Sequence, residues 1–174
     1  MTAFLNDVAR SIGSSGLHDT VVDLLSNVPG LPPIVQTVHL LGIAVVLGSI
    51  VLLDLRILGL ALPSQDVQEL TRRVMPWLWC TLPLMLLSGL PFVLARPQRY
   101  FSNPIFGWKF ALLLPALALT AGLHIISIRN PDYWQVRRTR TAAKMIAAVS
   151  LLLWVGVVLA GRWIAYADYL FPEE

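Results

Sequence analysis

Residues 33–62 read PIVQTVHLLGIAVVLGSIVLLDLRILGLAL, an apolar run with His39, Ser49, Asp54 and Arg56 among its few polar residues. An α-helix rises ~1.5 Å per residue, so about twenty residues cross the hydrocarbon core of a bilayer. The run is therefore long enough to span a membrane with some tilt.

Three more apolar runs follow, and together they predict membrane spans at about 33–61, 74–95, 105–128 and 142–166. Short links between spans favour antiparallel neighbours. We therefore expect an all-α membrane protein, an up-down-up-down bundle of four transmembrane helices that forms one domain over residues 31–174.

The composition agrees with this fold class. The chain is 56% hydrophobic and 13% charged, its mean hydropathy is +0.69, and soluble domains carry about 25% charged residues. The single cysteine, Cys80, excludes an intrachain disulfide and a cysteine-clustered metal site. We interpret the excess of basic over acidic residues as a feature that sets the orientation in the membrane, and not as a sign of a nucleic-acid partner.

Residues 1–30 form a separate N-terminal segment. Apolar residues recur at helical spacing from Phe4 to Ile12, and a second short pattern ends before Pro29 and Gly30. These patterns predict amphipathic helices lying in the membrane interface. The alternative is a short, loosely ordered tail.

The arginine and lysine residues predict the orientation. Eight lie on one side of the predicted bundle and five on the other. The positive-inside rule assigns the richer side to the cytoplasm. The expected location is the bacterial inner membrane, with both termini outside the cytoplasm.

Two histidines lie within predicted spans, His39 in the first and His124 in the third. Inward histidines of four-helix membrane bundles often ligate haem b. By helical rise, however, the two residues lie more than ~20 Å apart in depth, so one chain cannot use both on one haem.

Other ligand arrangements remain open. Met145 in the fourth span matches the depth of His124, so a His124/Met145 pair is allowed, and His18 can fold over His39. A haem or metal can also be shared across a dimer. The competing interpretations are packing for Met145 and hydrogen bonds to neighbouring helices for the histidines.

Asp54 and Arg56 form a DLR triplet with Leu55 near the inner end of the first span. They point about 160° apart and do not pair with each other. We expect Asp54 to meet a basic residue such as Arg72 or Arg73, and Arg56 to reach the headgroups. A proton or anion relay is the functional alternative.

Three segments carry a family resemblance: HLLGIAVVLGSIVLLDLRILGLA (39–61), YFSNPIFGWKFALLL (100–114) and VGVVLAGRWIAY (155–166). They resemble a family of small bacterial inner-membrane proteins with four helices and no assigned function. More distantly, the His-led first span is similar to copper-resistance D and cytochrome b561-type membrane proteins, which implies haem or copper. The resemblance places the following residues at family motif positions: His39, Asp54, Arg56, Asn103, Pro104, Lys109, Gly161 and Arg162.

Two functions are predicted. The first is a redox subunit for electron transfer that holds haem b or contacts quinone, with His39, His124 and Met145 as ligand candidates. The second is a non-catalytic accessory or scaffold subunit, because small residues such as Gly156, Ala160 and Gly161 favour close packing within or between chains. The expected partners are the lipid bilayer and either a second copy or a larger membrane complex. A carrier is a weaker third hypothesis, and no motif predicts catalysis by this chain alone.

Overall fold

The computed structural model of the protein describes residues 2–134 and 137–166, and every regular element in those ranges is a helix. Two short helices come first, α1 (Thr2–Gly13) and α2 (Gly16–Asn27). They are followed by α3 (Leu31–Leu58), α4 (Val67–Ala95), the short α5 (Pro97–Phe101), α6 (Pro104–Arg129) and α7 (Arg137–Trp163). Turns of 3₁₀ helix lie at Pro131–Trp134 and Ile164–Tyr166. Residues 167–174, the end of the predicted membrane domain, lie outside the described residues.

Four of these helices are long and apolar enough to cross a membrane: α3, α4, α6 and the segment Arg140–Trp163 of α7. The prediction of an all-helical protein with four membrane spans is therefore confirmed. The up-down-up-down crossing, the kind of membrane and the side of the termini stay predictions.

The first span ends earlier than the apolar pattern predicts, at Leu58 instead of residue 61. Gly59 stops the helix because it adopts a left-handed conformation with φ of 83°. The amide of Leu60 then donates to the carbonyl of Leu55, which satisfies a carbonyl that the helix end leaves free. The next two residues are apolar, so hydropathy alone does not reveal this stop.

The second span begins seven residues earlier than predicted, at Val67 instead of residue 74. Asp66 caps this start, because its Oδ2 accepts hydrogen bonds from the amides of Gln68 and Glu69. The first turns of α4 carry charged residues, including the Arg73–Glu69 ion pair. These first turns of α4 are therefore predicted as a loop when only hydropathy is considered.

The two N-terminal helices pack against the bundle. Ser15 caps α2 by accepting a hydrogen bond from the amide of His18 at 3.3 Å. α1 lies against α5, where Ser102 donates to Asn6 at 3.2 Å, and α2 lies against α4. The two predicted helices are therefore present, while their location in a membrane interface stays a prediction.

Contacts between the long helices define two ends of the bundle. At one end the start of α3 meets the end of α4 at His39 and Ser88, and the start of α6 meets the end of α7 at Asn103 and Ile164. We call this the α1 end. At the other, the end of α3 meets α7 at Gly59, and we call it the Gly59 end.

The main hydrophobic core lies in the half of the bundle nearer the Gly59 end. Its most deeply buried large side chains include Ile50, Met75, Leu78 and Leu123. A small second cluster, built on Ile105, Ala160 and Ile164, joins α6 to α7 at the α1 end. α3 packs chiefly on α4 and α7, and α6 packs chiefly on α7. The contact between α4 and α6 is less extensive than the α3–α4, α3–α7 and α6–α7 contacts.

Candidate functional site

His39 projects from α3 toward α4, where its Nδ1 lies 2.9 Å from Ser88 Oγ. The Ser88 hydroxyl donates its only hydrogen to the carbonyl of Leu84 at 2.7 Å. We assign the Ser88 hydroxyl as the acceptor from His39 on this geometry, which puts the hydrogen of the neutral ring on Nδ1 and leaves a lone pair on Nε2. His39, one of the candidate haem ligands, is thus held in the tautomer whose Nε2 is unprotonated.

A glycine allows the His39 ring to sit this close to α4. A Cβ at position 89 would stand 3.2 Å from His39 Cε1, which is tighter than ordinary van der Waals contact. Gly42, about one turn further along α3, has the same role, because a Cβ there would stand 2.9 Å from Met85 Sδ. Two glycines, one on each helix, thus permit the close approach of α3 and α4.

Lys109 reaches the same end of the bundle from α6. Its Nζ lies 3.9 Å from the point where a Cβ at position 161 would stand, so Gly161 leaves room for the lysine chain. Lys109 is near enough to His39 for the two groups to interact electrostatically. Among residues 2–134 and 137–166 it makes no hydrogen bond or ion pair. We call His39, Ser88, Lys109 and Gly161, one residue from each long helix, the His39–Lys109 cluster.

His124 has the opposite arrangement near the end of α6. The indole Nε1 of Trp79, on α4, donates to His124 Nδ1 at 2.9 Å, and the two rings stack with centroids 6.0 Å apart. Because Nδ1 accepts, the neutral ring carries its hydrogen on Nε2. Sequence reasoning did not identify this bond, since no pattern in the sequence links a tryptophan on one helix to a histidine on another.

The other haem-ligand candidate, Met145, is 68% exposed on the outer face of α7. His39 lies ~12 Å from the start of α3 and His124 ~30 Å from the start of α6, by helical rise. The structure thus places His39 and His124 at different depths and Met145 on an exposed face, and haem ligation by any of these residues stays a prediction. Within residues 2–134 and 137–166, no three His, Cys, Asp or Glu side chains form a metal-binding group.

The DLR triplet has partners that differ from the prediction. Asp54 is buried and faces Ser150 of α7, not Arg72 or Arg73. Arg73 pairs instead with Glu69, one turn away on its own helix, which leaves it turned from the interior. Arg56 donates through Nε to the carbonyl of Gln65, so it ties the α3–α4 loop to α3 and does not simply extend toward headgroups.

The remaining motif residues join helix ends. Asn103 caps α6, where Pro104 is the first residue, by accepting from the amide of Ile105, and its Nδ2 donates to the carbonyl of Ile164 at 3.4 Å. Arg162 is exposed and donates to Tyr166 Oη at 3.2 Å.

His18 and His39 contact different positions on α4, Leu94 and Ser88. The Nδ1 of His18 lies 2.8 Å from the carbonyl of Leu94, so α2 satisfies one of the free carbonyls at the end of α4.

Comparison with known proteins bears on the family and not on the activity. No curated protein and no solved structure matches the chain. The more distant likeness to copper-resistance D or cytochrome b561-type proteins is not supported by these comparisons. A family model matches residues 31–167, which include α3 to α7. The chain therefore belongs to that family, which is described as a family of unknown function, DUF6644.

Proposed function

We propose that this integral membrane protein is a redox subunit of the quinone-contacting kind, and that the His39–Lys109 cluster binds the quinone headgroup. The observation that carries the proposal is that His39, whose Nε2 is assigned as an acceptor, lies within electrostatic reach of a lysine that has no partner among the described residues. An ionisable residue inside a membrane span is costly and is by default a functional candidate.

The chemistry of the cluster suits both redox states of a quinone. A quinone carbonyl oxygen is an acceptor, and the side-chain nitrogen of Lys109 is an N–H donor in either protonation state. A hydroquinone hydroxyl is a donor, and His39 Nε2 is an acceptor. The two side chains therefore offer one hydrogen bond to either form of the headgroup, while the isoprenoid tail stays in lipid.

Packing supports access from the bilayer. The main core occupies the half of the bundle toward the Gly59 end, and the seam between α4 and α6 is less extensive than the α3–α4 and α6–α7 contacts. A lipid-soluble headgroup can approach the cluster sideways along that seam.

The second candidate function is that of an accessory subunit, and the exposed apolar surface of α4 favours it. Only 17% of the most apolar window of α4 is buried, compared with 33% of that of α3. A partner helix would cover this surface, although lipid covers such surfaces equally well in a lone bundle.

Quinone titration in lipid nanodiscs tests the proposal. We expect a short-chain ubiquinone or menaquinone analogue to bind the wild-type protein, and His39→Ala or Lys109→Met to raise the Kd by at least about tenfold, or ~1.4 kcal/mol. His124→Ala is the matched control, because it removes the same side chain at the other end, and its Kd should stay within about twofold of wild type.

Three results would contradict the proposal. Absence of binding to the wild type, or an equal loss in all three variants, would remove the quinone site, and a membrane protein that co-purifies would then favour the accessory role. A visible spectrum of the same preparation, oxidised and then dithionite-reduced, tests the haem alternative. A Soret band lost in His39→Ala or His124→Ala would replace quinone contact with haem ligation.

A further inference from the structure

A second pair of polar side chains lies inside the bundle, away from the His39–Lys109 cluster. Asp54 of α3 is 2% exposed and Ser150 of α7 is 1% exposed. Ser150 is the polar group that faces the Asp54 carboxyl. Neither Asp54 Oδ2 nor Ser150 Oγ has a hydrogen-bond partner of normal geometry, so the two groups are adjacent but unsatisfied.

Other charged groups toward the Gly59 end are exposed or contact other parts of the fold. On α3, Arg56 donates to the Gln65 carbonyl. On α7, Lys144 Nζ lies 3.6 Å from the Cβ position of residue 59, at the end of α3. On α4, Arg73 pairs with Glu69 and Arg72 is exposed. No described residue forms an ion pair with Asp54.

A carboxylate without a cation is the costly state at this position. Removing an ion from water costs several kcal/mol even after the protein relaxes, and a span buried in lipid offers no compensating water. A neutral carboxylic acid avoids this cost and also gains an O–H donor. That donor matches Ser150 Oγ, an acceptor that faces the Asp54 carboxyl.

We propose that Asp54 and Ser150 form a proton-binding site, in which Asp54 holds a proton at neutral pH and donates it in a hydrogen bond to Ser150. Loading transfers one proton from hydronium to a carboxylate oxygen and leaves water, and unloading reverses the step. The site is independent of the quinone proposal, because neither Asp54 nor Ser150 belongs to the His39–Lys109 cluster and the pair lies in the half of the bundle nearer the Gly59 end.

Infrared spectroscopy of the protein in nanodiscs at neutral pH tests this directly. The wild type should show the C=O stretch of an un-ionised carboxylic acid. Asp54→Asn should abolish that band, and Ser150→Ala should shift it to higher frequency because the hydrogen bond is lost. Glu69→Gln is the matched control: it removes an exposed carboxylate paired with Arg73, so the acid band should stay unchanged.

Thermal unfolding gives a second readout. Asparagine is a neutral isostere of the protonated acid, so Asp54→Asn should unfold within about 3 °C of wild type. A wild-type spectrum without the acid band, or a band that persists in Asp54→Asn, would overturn the proposal. If Asp54→Asn fails to fold, the presence of the band and its shift in Ser150→Ala still decide the matter.

Discussion

His39 and His124 are the same residue in two membrane spans, yet the bundle uses them in opposite ways. Ser88 accepts from His39 Nδ1 and leaves Nε2 as an acceptor. Trp79 donates to His124 Nδ1 and leaves the ring hydrogen on Nε2. The role of a histidine in a span is therefore set by what the facing helix offers, an acceptor at one end and a donor at the other.

The lysines at the two ends of the bundle also have different surroundings. Lys109, beside His39, has no hydrogen-bond or ion-pair partner among the described residues. Lys144 lies at the C-terminal end of α3, where the helix dipole and the free carbonyls favour a cation. The lysine at the α1 end thus keeps unsatisfied hydrogen-bonding capacity, while the lysine at the Gly59 end complements the end of a helix. We interpret the unsatisfied capacity as capacity for a ligand.

The largest change in stability should come from filling the space beside His39. Gly89→Leu would drive a side chain into the imidazole ring, and such overpacking costs about 2–3 kcal/mol. Gly48→Leu is the matched control, since a Cβ at position 48 meets nothing within 4 Å. Chemical unfolding in detergent measures both variants. Equal stability of the two would mean that the α3–α4 approach is looser than described.

Lysine replacement should change stability with opposite sign at the two ends. Lys109→Met removes an uncompensated ammonium from a span, and we expect it to stabilise the protein by about 2 kcal/mol. Lys144→Met removes a cation from the end of α3, and we expect a loss of about 0.5–1 kcal/mol. The same unfolding assay compares them. Destabilisation by Lys109→Met would indicate that the ammonium has a partner and would weaken the contrast.

The smallest effects concern the tautomers of the two histidines. Trp79→Phe and Ser88→Ala each remove one interhelical hydrogen bond, for which about 0.6 kcal/mol is typical in membrane bundles. Nitrogen NMR of ¹⁵N-histidine-labelled protein is well resolved here because the chain has three histidines. We expect His39 protonated at Nδ1 and His124 at Nε2.

Each substitution should then perturb one histidine. Trp79→Phe should change only the His124 signals, and Ser88→Ala only those of His39. The same tautomer at both residues would remove the difference between the two ends.

Much of the fold was predictable because a bilayer imposes simple requirements. The four spans follow from length and apolarity, and the N-terminal helices follow from periodicity. The boundaries were less predictable where local backbone chemistry overrides hydropathy. Gly59 ends α3 within an apolar run, and Asp66 starts α4 ahead of a charged turn.

Of the candidate site, the sequence alone identified His39, His124, Asp54 and Lys109 as notable residues but not their partners. Ser88, Trp79 and Ser150 carry no signal of their own, because a serine or tryptophan in an apolar helix is ordinary. The expected Asp54 partners, Arg72 and Arg73, were wrong because their helix turns them away from α3.

Four membrane-spanning helices follow from the amino-acid order alone, because twenty or so apolar residues in lipid must satisfy their backbone hydrogen bonds within a helix. The packing of those helices was needed to establish which ring nitrogen of each histidine is free, which lysine is left without a partner among the described residues, and that Asp54 faces a hydroxyl. These properties depend on which side chain of a facing helix comes within about 3 Å, the length of a hydrogen bond. Helix rotation and register set that distance, and no single segment of the chain encodes it.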